Sequence, residues 1–197
     1  MPKVSDEYRQ ARRDEIVDVA IRCFLSRGFG RTSIADLVTE SGLSAGAIYG
    51  NFPGGKDEIF VAAATRILHT RRSELEARRR EDPPLAPGEV MATLISGISG
   101  EQISAVLPQL WGQAAVDAEI RALVREVFLE LRATVVGAIA DWAAAHPDKV
   151  EGDARLWAER VGPIVLSTAP GFILQKTLMP DFDAEGYLAA LPTLLPH

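Results

Sequence analysis

The chain has little of what many catalytic and extracellular proteins are built from. Its single cysteine, Cys23, excludes an internal disulfide and a cysteine-rich zinc site, and its place beside Ala20 and Phe24 reads as a buried structural thiol. The three histidines, His69, His146 and His197, include no pair at i, i+4, so no helix offers two imidazoles to one metal. No metal or cofactor is expected. No apolar run approaches the roughly 18 residues needed to cross a bilayer, and the opening stretch MPKVSDEYRQARRDE is polar rather than a signal sequence. A cytoplasmic protein without a membrane partner is expected. There is no strand-like alternation and no internal repeat.

What remains is a composition 47% hydrophobic and 24% charged over 197 residues, enough for a sizeable core. The net charge of −6 argues at first against nucleic acid as a partner. The average conceals a split: residues 1–80 hold 14 Lys and Arg against 11 Asp and Glu, and residues 81–197 hold 7 against 16. The front is basic and the back acidic.

The chain turns on Thr32 to Phe52, TSIADLVTESGLSAGAIYGNF, which reads as two short helices joined by a tight turn. Ser33 is placed to cap the first, with Asp36 completing a short capping box. Ile34, Leu37 and Val38 give that helix an apolar face, and Gly42 supplies the left-handed stop. Ser44 caps the second helix, Ala45 to Asn51, which buries Ile48 and turns Ala45, Gly46, Ala47, Tyr49, Gly50 and Asn51 outward. A face of so little bulk suits close approach to a DNA backbone and to base edges. Around this pair, periodicity predicts further helices over 7–27, 56–80, 88–99, 101–115, 117–145, 153–178 and 183–195. The second-last of these is interrupted by Gly162-Pro163 and Pro170-Gly171, as either a kinked helix or two shorter ones. On the long helix over 117–145, Ile120, Val124, Val127, Phe128, Leu131, Val135, Ile139 and Trp142 are expected to face inward. The helix from 56 spans about 25 residues, roughly 37 Å, and carries any signal between front and back. The expected fold is all-α, about nine helices, with a helix-turn-helix region at 1–55, a connecting helix at 56–80 and a C-terminal helical region at 81–197.

From Ile16 to Phe60 the sequence resembles the DNA-binding domain of the TetR family of bacterial transcriptional regulators. The residues that carry the likeness are Ala20 and Phe24, Gly28-Phe29, Thr32-Ser33, Gly42-Leu43-Ser44, Gly46 through Phe52, and Lys56-Asp57-Glu58-Ile59-Phe60. Ala45 stands where the family often carries Lys or Arg, Gly50 where an aromatic is common, and Val38 where a small residue is usual. The resemblance implies a repressor that binds a palindromic operator as a homodimer through its last two helices and is released by a small, largely apolar molecule. Double-stranded DNA contact is expected from Thr32, Ser33, Ser44, Ala45, Gly46, Ala47, Tyr49, Gly50, Asn51 and Lys56, and Arg9, Arg12 and Arg13 are placed to reach phosphate. For the effector, Met91, Ile95, Ile98, Trp111, Phe128 and Phe172 are expected to form apolar walls, with Gln102, Gln109, Gln113 and Gln175 as orienting groups.

Two other readings compete. The run Gly42-Leu43-Ser44-Ala45-Gly46 matches the G-x-S-x-G elbow of serine hydrolases, but that elbow follows a strand, and here a helix is predicted before it. An all-α dimeric interaction protein without DNA binding is the other. Neither catalytic residues nor an enzyme activity are expected.

Overall fold

Ser33 and Gly42 begin and end a helix where the sequence places them, and such local signals set most of the boundaries. The computed structural model describes residues 6–80, 83–99 and 107–194, apart from the side chains of residues 67, 68, 71, 98, 99 and 194. The described residues form nine helices and no strand: α1 Asp6–Arg27, α2 Ile34–Ser41, α3 Ala45–Asn51, α4 Gly55–Arg78, α5 Pro87–Ser99, α6 Leu107–Val116, α7 Ala118–Ala145, α8 Ala154–Leu178 and α9 Ala184–Leu194. Residues 101–106, expected to open the sixth helix, lie outside the described residues, as do Gln102 and Leu195; so does the side chain of Ile98. None of the described helices is long and apolar enough to cross a membrane.

The chain divides into two compact units, Met1–Arg66 with Ala105–Val124, and Ile67–Ser104 with Arg125–His197. The division falls inside α4 and α7, so both helices run from one unit into the other.

In the first unit the core forms around three rings. Phe29 stacks on Phe60 with centroids 4.2 Å apart, and Phe24 meets the edge of Phe60 at 5.0 Å. Ile16, Val17, Ala20 and Cys23 from α1, Leu37 from α2, Ile48 from α3 and Ile59 from α4 are buried around them. Burial pushes the Cys23 thiol up from its ordinary value, in keeping with a core thiol rather than a reactive one.

In the second unit α5 packs against α8 and α9 through Val90, Met91, Leu94 and Ile95. Gly162 of α8 lies so near Val136 of α7 that a Cβ there would stand 2.6 Å from a valine methyl. Trp142 stacks on His146 at 4.8 Å and leans on Trp157. α8 runs unbroken from 154 to 178 with Pro163 and Pro170 inside it, so neither proline divides it in two.

On α7 the expected inward stripe holds with one correction. Ile120, Leu131, Val135, Ile139 and Trp142 are buried and Val124 and Val127 half-buried, whereas Phe128 is 42% exposed. Buried positions recur there every three or four residues, and Phe128 follows Val127 by one, about 100° around the helix.

Candidate nucleic-acid interface

α2 is fixed at its start by a complete capping box. The Asp36 N–H donates to Ser33 Oγ at 3.2 Å, and the Ser33 N–H and hydroxyl donate to Asp36 Oδ2 at 2.8 and 2.6 Å. Those donors hold the Asp36 carboxyl below its ordinary pKa, helped by the neighbouring Arg27 guanidinium, which also bonds it. Gly42 takes φ +70° and returns its N–H to the Val38 carbonyl, a conformation that a side chain there would strain. Two residues later Ser44 Oγ accepts the Ala47 N–H at 3.1 Å and α3 begins. Ser44 is therefore a helix cap preceded by a helix, not the nucleophile of an elbow.

α3 turns Ile48 fully into the core. Ala45, Gly46, Tyr49 and Gly50 are exposed, Tyr49 at 49%, and Ala47 and Asn51 are half-buried. Tyr49 lies over Gly55, where a Cβ would come within 3.3 Å of the ring edge; Gly55 also has φ +65°, so the position suits only glycine. The end of α3 is tied down from α1: Arg13 donates to the Asn51 carbonyl and sits 4.0 Å over the Phe52 ring.

Four expectations for this surface are corrected. Thr32 is 2% exposed, and its hydroxyl bonds the carbonyls of Gly28 and Cys23, so its side chain closes the α1–α2 corner and is not offered to DNA. Lys56 donates from Nζ to the Phe29 carbonyl at 3.0 Å and lies 4.2 Å over the Phe29 ring. Its charge is held against the same corner rather than projected outward. Arg13, expected near phosphate, is the strut of α3 just described, while Arg12 bonds Glu15 and the Tyr8 hydroxyl. The partners of these side chains lie 3 to 38 residues away, and spacing indicates only which side chains are long enough to reach.

The same corner receives a contact that the sequence did not announce. Gln109 of α6 accepts the Phe29 N–H at 2.8 Å, across 80 residues of chain and within the same compact unit. It was expected to orient an effector; instead it satisfies a backbone donor beside the helix-turn-helix. Gln109→Leu, close in size but without an acceptor, is expected to lower unfolding free energy by about 1 kcal/mol, with Gln109→Glu recovering most of it. Thermal denaturation of the three proteins is the check, and equal midpoints for all three refute the contact.

The residues expected around an effector are dispersed in character. Met91, Ile95 and Phe172 are buried, Phe172 within an aromatic trio completed by Phe182 and Tyr187. Trp111 is half-buried and Phe128 and Gln175 are exposed. An open groove of about 300 Å³ in the second unit is lined instead by Glu76, Arg79, Arg80 and Asp141. It contains none of the expected residues, and Arg79 in it is bonded twice to Asp141 Oδ2, at 2.8 and 2.6 Å.

With this geometry in view, residues 16–63 match the family described as "Bacterial regulatory proteins, tetR family". The chain is 42% identical over 64 residues to an HTH-type transcriptional repressor of Mycobacterium tuberculosis, a match that spans 32% of this chain and 34% of that one. It is 26% identical over 189 residues to the HTH-type transcriptional regulator TtgR of Pseudomonas putida, covering 92% and 87%. In fold it resembles the transcriptional regulator FadR of Bacillus subtilis, solved in complex with stearoyl-CoA, with a TM-score of 0.74 at 17% identity, covering 93% of this chain and 97% of that one. The first of these matches spans about a third of its relative, whereas the others run nearly end to end.

Proposed function

We propose that this chain, a member of the TetR family of bacterial regulatory proteins, is a ligand-responsive transcriptional repressor that holds a palindromic operator as a homodimer. A small, largely apolar molecule entering its C-terminal part releases it. The observation that carries this reading is α3 itself: a short helix set by Gly42 and Ser44, with Ile48 inward and Ala45, Gly46, Tyr49 and Gly50 presented outward. Ser33, Ser44, Ala47 and Asn51 flank that face.

The division of labour follows the sequence: residues 1–55 for DNA, 56–80 as the connecting helix, 81–197 for effector and dimerisation. Support for a second copy comes from α8, where Leu156, Ile164, Leu174 and Leu178 are 49 to 67% exposed. Such an apolar face calls for a partner, and two-fold pairing would set two recognition helices about one DNA turn apart. The effector is read as apolar from Met91, Ile95 and Phe172, and the stearoyl chain of the ligand bound by the Bacillus regulator is of that class. α4, continuous across both units, is the route by which occupancy reaches α3. Coupling of this kind typically amounts to about 1–3 kcal/mol, about 5- to 150-fold in affinity, and is reciprocal. Repression places the protein with the chromosome, in the cytoplasm.

The deciding experiment is selection of duplexes from a random pool by the full chain. A two-fold palindrome with half-sites about one turn apart is expected. A pool that enriches nothing refutes the reading in favour of a dimeric protein without DNA.

A further inference from the structure

Resting on that regulator reading, we infer that the recognition helix reads its half-site through thymine methyl groups rather than through hydrogen bonds to guanine. α3 is Ala-Gly-Ala-Ile-Tyr-Gly-Asn and contains no Arg, Lys, Gln, Asp or Glu. Those are the side chains whose paired donors or acceptors recognise guanine, adenine and cytosine edges in the major groove.

The polar groups that adjoin α3 are used within the protein. Ser44 Oγ holds the Ala47 N–H, and Asn51 Nδ2 donates to the Ala47 carbonyl at 2.8 Å. Two cations are bonded within the protein as well, Arg13 to the Asn51 carbonyl and Lys56 to the Phe29 carbonyl. Each commitment ties a polar group near α3 to a partner inside the protein and so reduces its capacity to read hydrogen-bonding edges.

What the helix offers outward is the Ala45 methyl and the Tyr49 ring, with bare backbone at Gly46 and Gly50. A Cβ at Gly46 would meet nothing nearer than 3.9 Å, and one at Gly50 nothing within 4 Å, so neither glycine is required by packing inside the protein. Their absence of side chains lets the helix axis come close to a groove floor. The thymine 5-methyl is the apolar group that base pairs present there, and an alanine methyl is its natural contact. Tyr49 keeps its hydroxyl for a phosphate oxygen while its ring extends the apolar contact.

The operator selected from the random pool is resynthesised with deoxyuridine in place of thymidine, one symmetric pair at a time, and separately with 7-deazaguanine in place of guanine. Affinity is read by fluorescence anisotropy at one salt concentration. Loss of a read methyl is expected to lower affinity about fourfold, and a symmetric pair by about tenfold or more. Removal of guanine N7 is expected to change it by less than about twofold. Ala45→Gly, checked for folding by circular dichroism, is expected to erase the thymidine preference at one symmetric pair. The nucleotide substitutions use the unaltered protein, so they stand whatever the variant does. Indifference to deoxyuridine at every position, or a loss above about tenfold with 7-deazaguanine, overturns the inference and leaves the regulator reading intact. A pool that enriches no duplex overturns the regulator reading, and the inference falls with it.

Discussion

Gly46→Glu is expected to abolish operator binding, by at least about 100-fold, while leaving α3 as stable as before or more so. The two effects diverge because one position serves two surroundings. Inside the protein, Gly46 is the second residue of α3, and a Cβ there makes only an ordinary 3.9 Å contact with Ser44 Oγ. Replacing glycine in a helix gains roughly 0.5–1 kcal/mol in propensity. An acid in the first turn of α3, which has none, gains a further ~0.3–1 kcal/mol from the helix dipole. Against DNA the same carboxylate stands among phosphates. Like-charge juxtaposition at an interface costs several kcal/mol, and each ~1.4 kcal/mol is tenfold in affinity. Gly46→Gln supplies the size without the charge, so the difference between the variants isolates the electrostatic part. The measurement pairs thermal denaturation with anisotropy on the selected operator. A Gly46→Glu protein that melts normally and binds with unchanged affinity would remove α3 from the interface.

How far the sequence could be read depended on how far each determinant reaches along the chain. The bounds of α2 and α3 rest on Ser33 with Asp36, on Gly42 and on Ser44, all acting within four residues, and these are legible in a one-dimensional string. The outward placement of Tyr49 and inward placement of Ile48 follow from helical phase alone. α8 was harder. Pro163 and Pro170 argue locally for an interruption, yet the helix persists through both, because burial of Ala158, Gly162, Val165, Leu166, Ala169, Phe172 and Ile173 on one side outweighs two missing backbone donors.

Long polar side chains were the least legible part of the site. Arg13, Lys56 and Gln109 each end on a backbone group 27 to 80 residues away. Sequence shows that such side chains can reach a phosphate or a ligand, and shows equally that they can reach a carbonyl or an N–H. Only the folded corner around Phe29, which takes Lys56 on its carbonyl and Gln109 on its amide, decides between them. The effector walls pose the same difficulty in apolar form, since Met91, Ile95 and Phe172 have the composition of a pocket and of a core alike.

Gly88→Ala is expected to act in the opposite sense to Gly46→Glu, although it too replaces a helical glycine. Propensity again favours the change by up to about 1 kcal/mol. Packing opposes it more strongly. A Cβ at Gly88 would stand 2.4 Å from the Leu191 carbonyl oxygen and 2.7 Å from the Pro192 Cα, so it meets the backbone of α9 and not the end of a movable side chain. Relief requires α5 and α9 to part along a contact that also buries Leu191. Overpacking costs about 1–3 kcal/mol where side chains can adjust, and occasionally more. With backbone on the far side the net loss is expected near 3 kcal/mol, which for a chain of this size lowers the melting midpoint by roughly 6–12 °C. Because α9 is one of the two helices proposed to join subunits, the variant is also expected to dissociate at higher protein concentration than the parent, as read by analytical ultracentrifugation. A midpoint equal to or above the parent's would mean that α5 and α9 lie further apart than 2.4 Å allows, and that glycine at this position answers to helix propensity and not to contact.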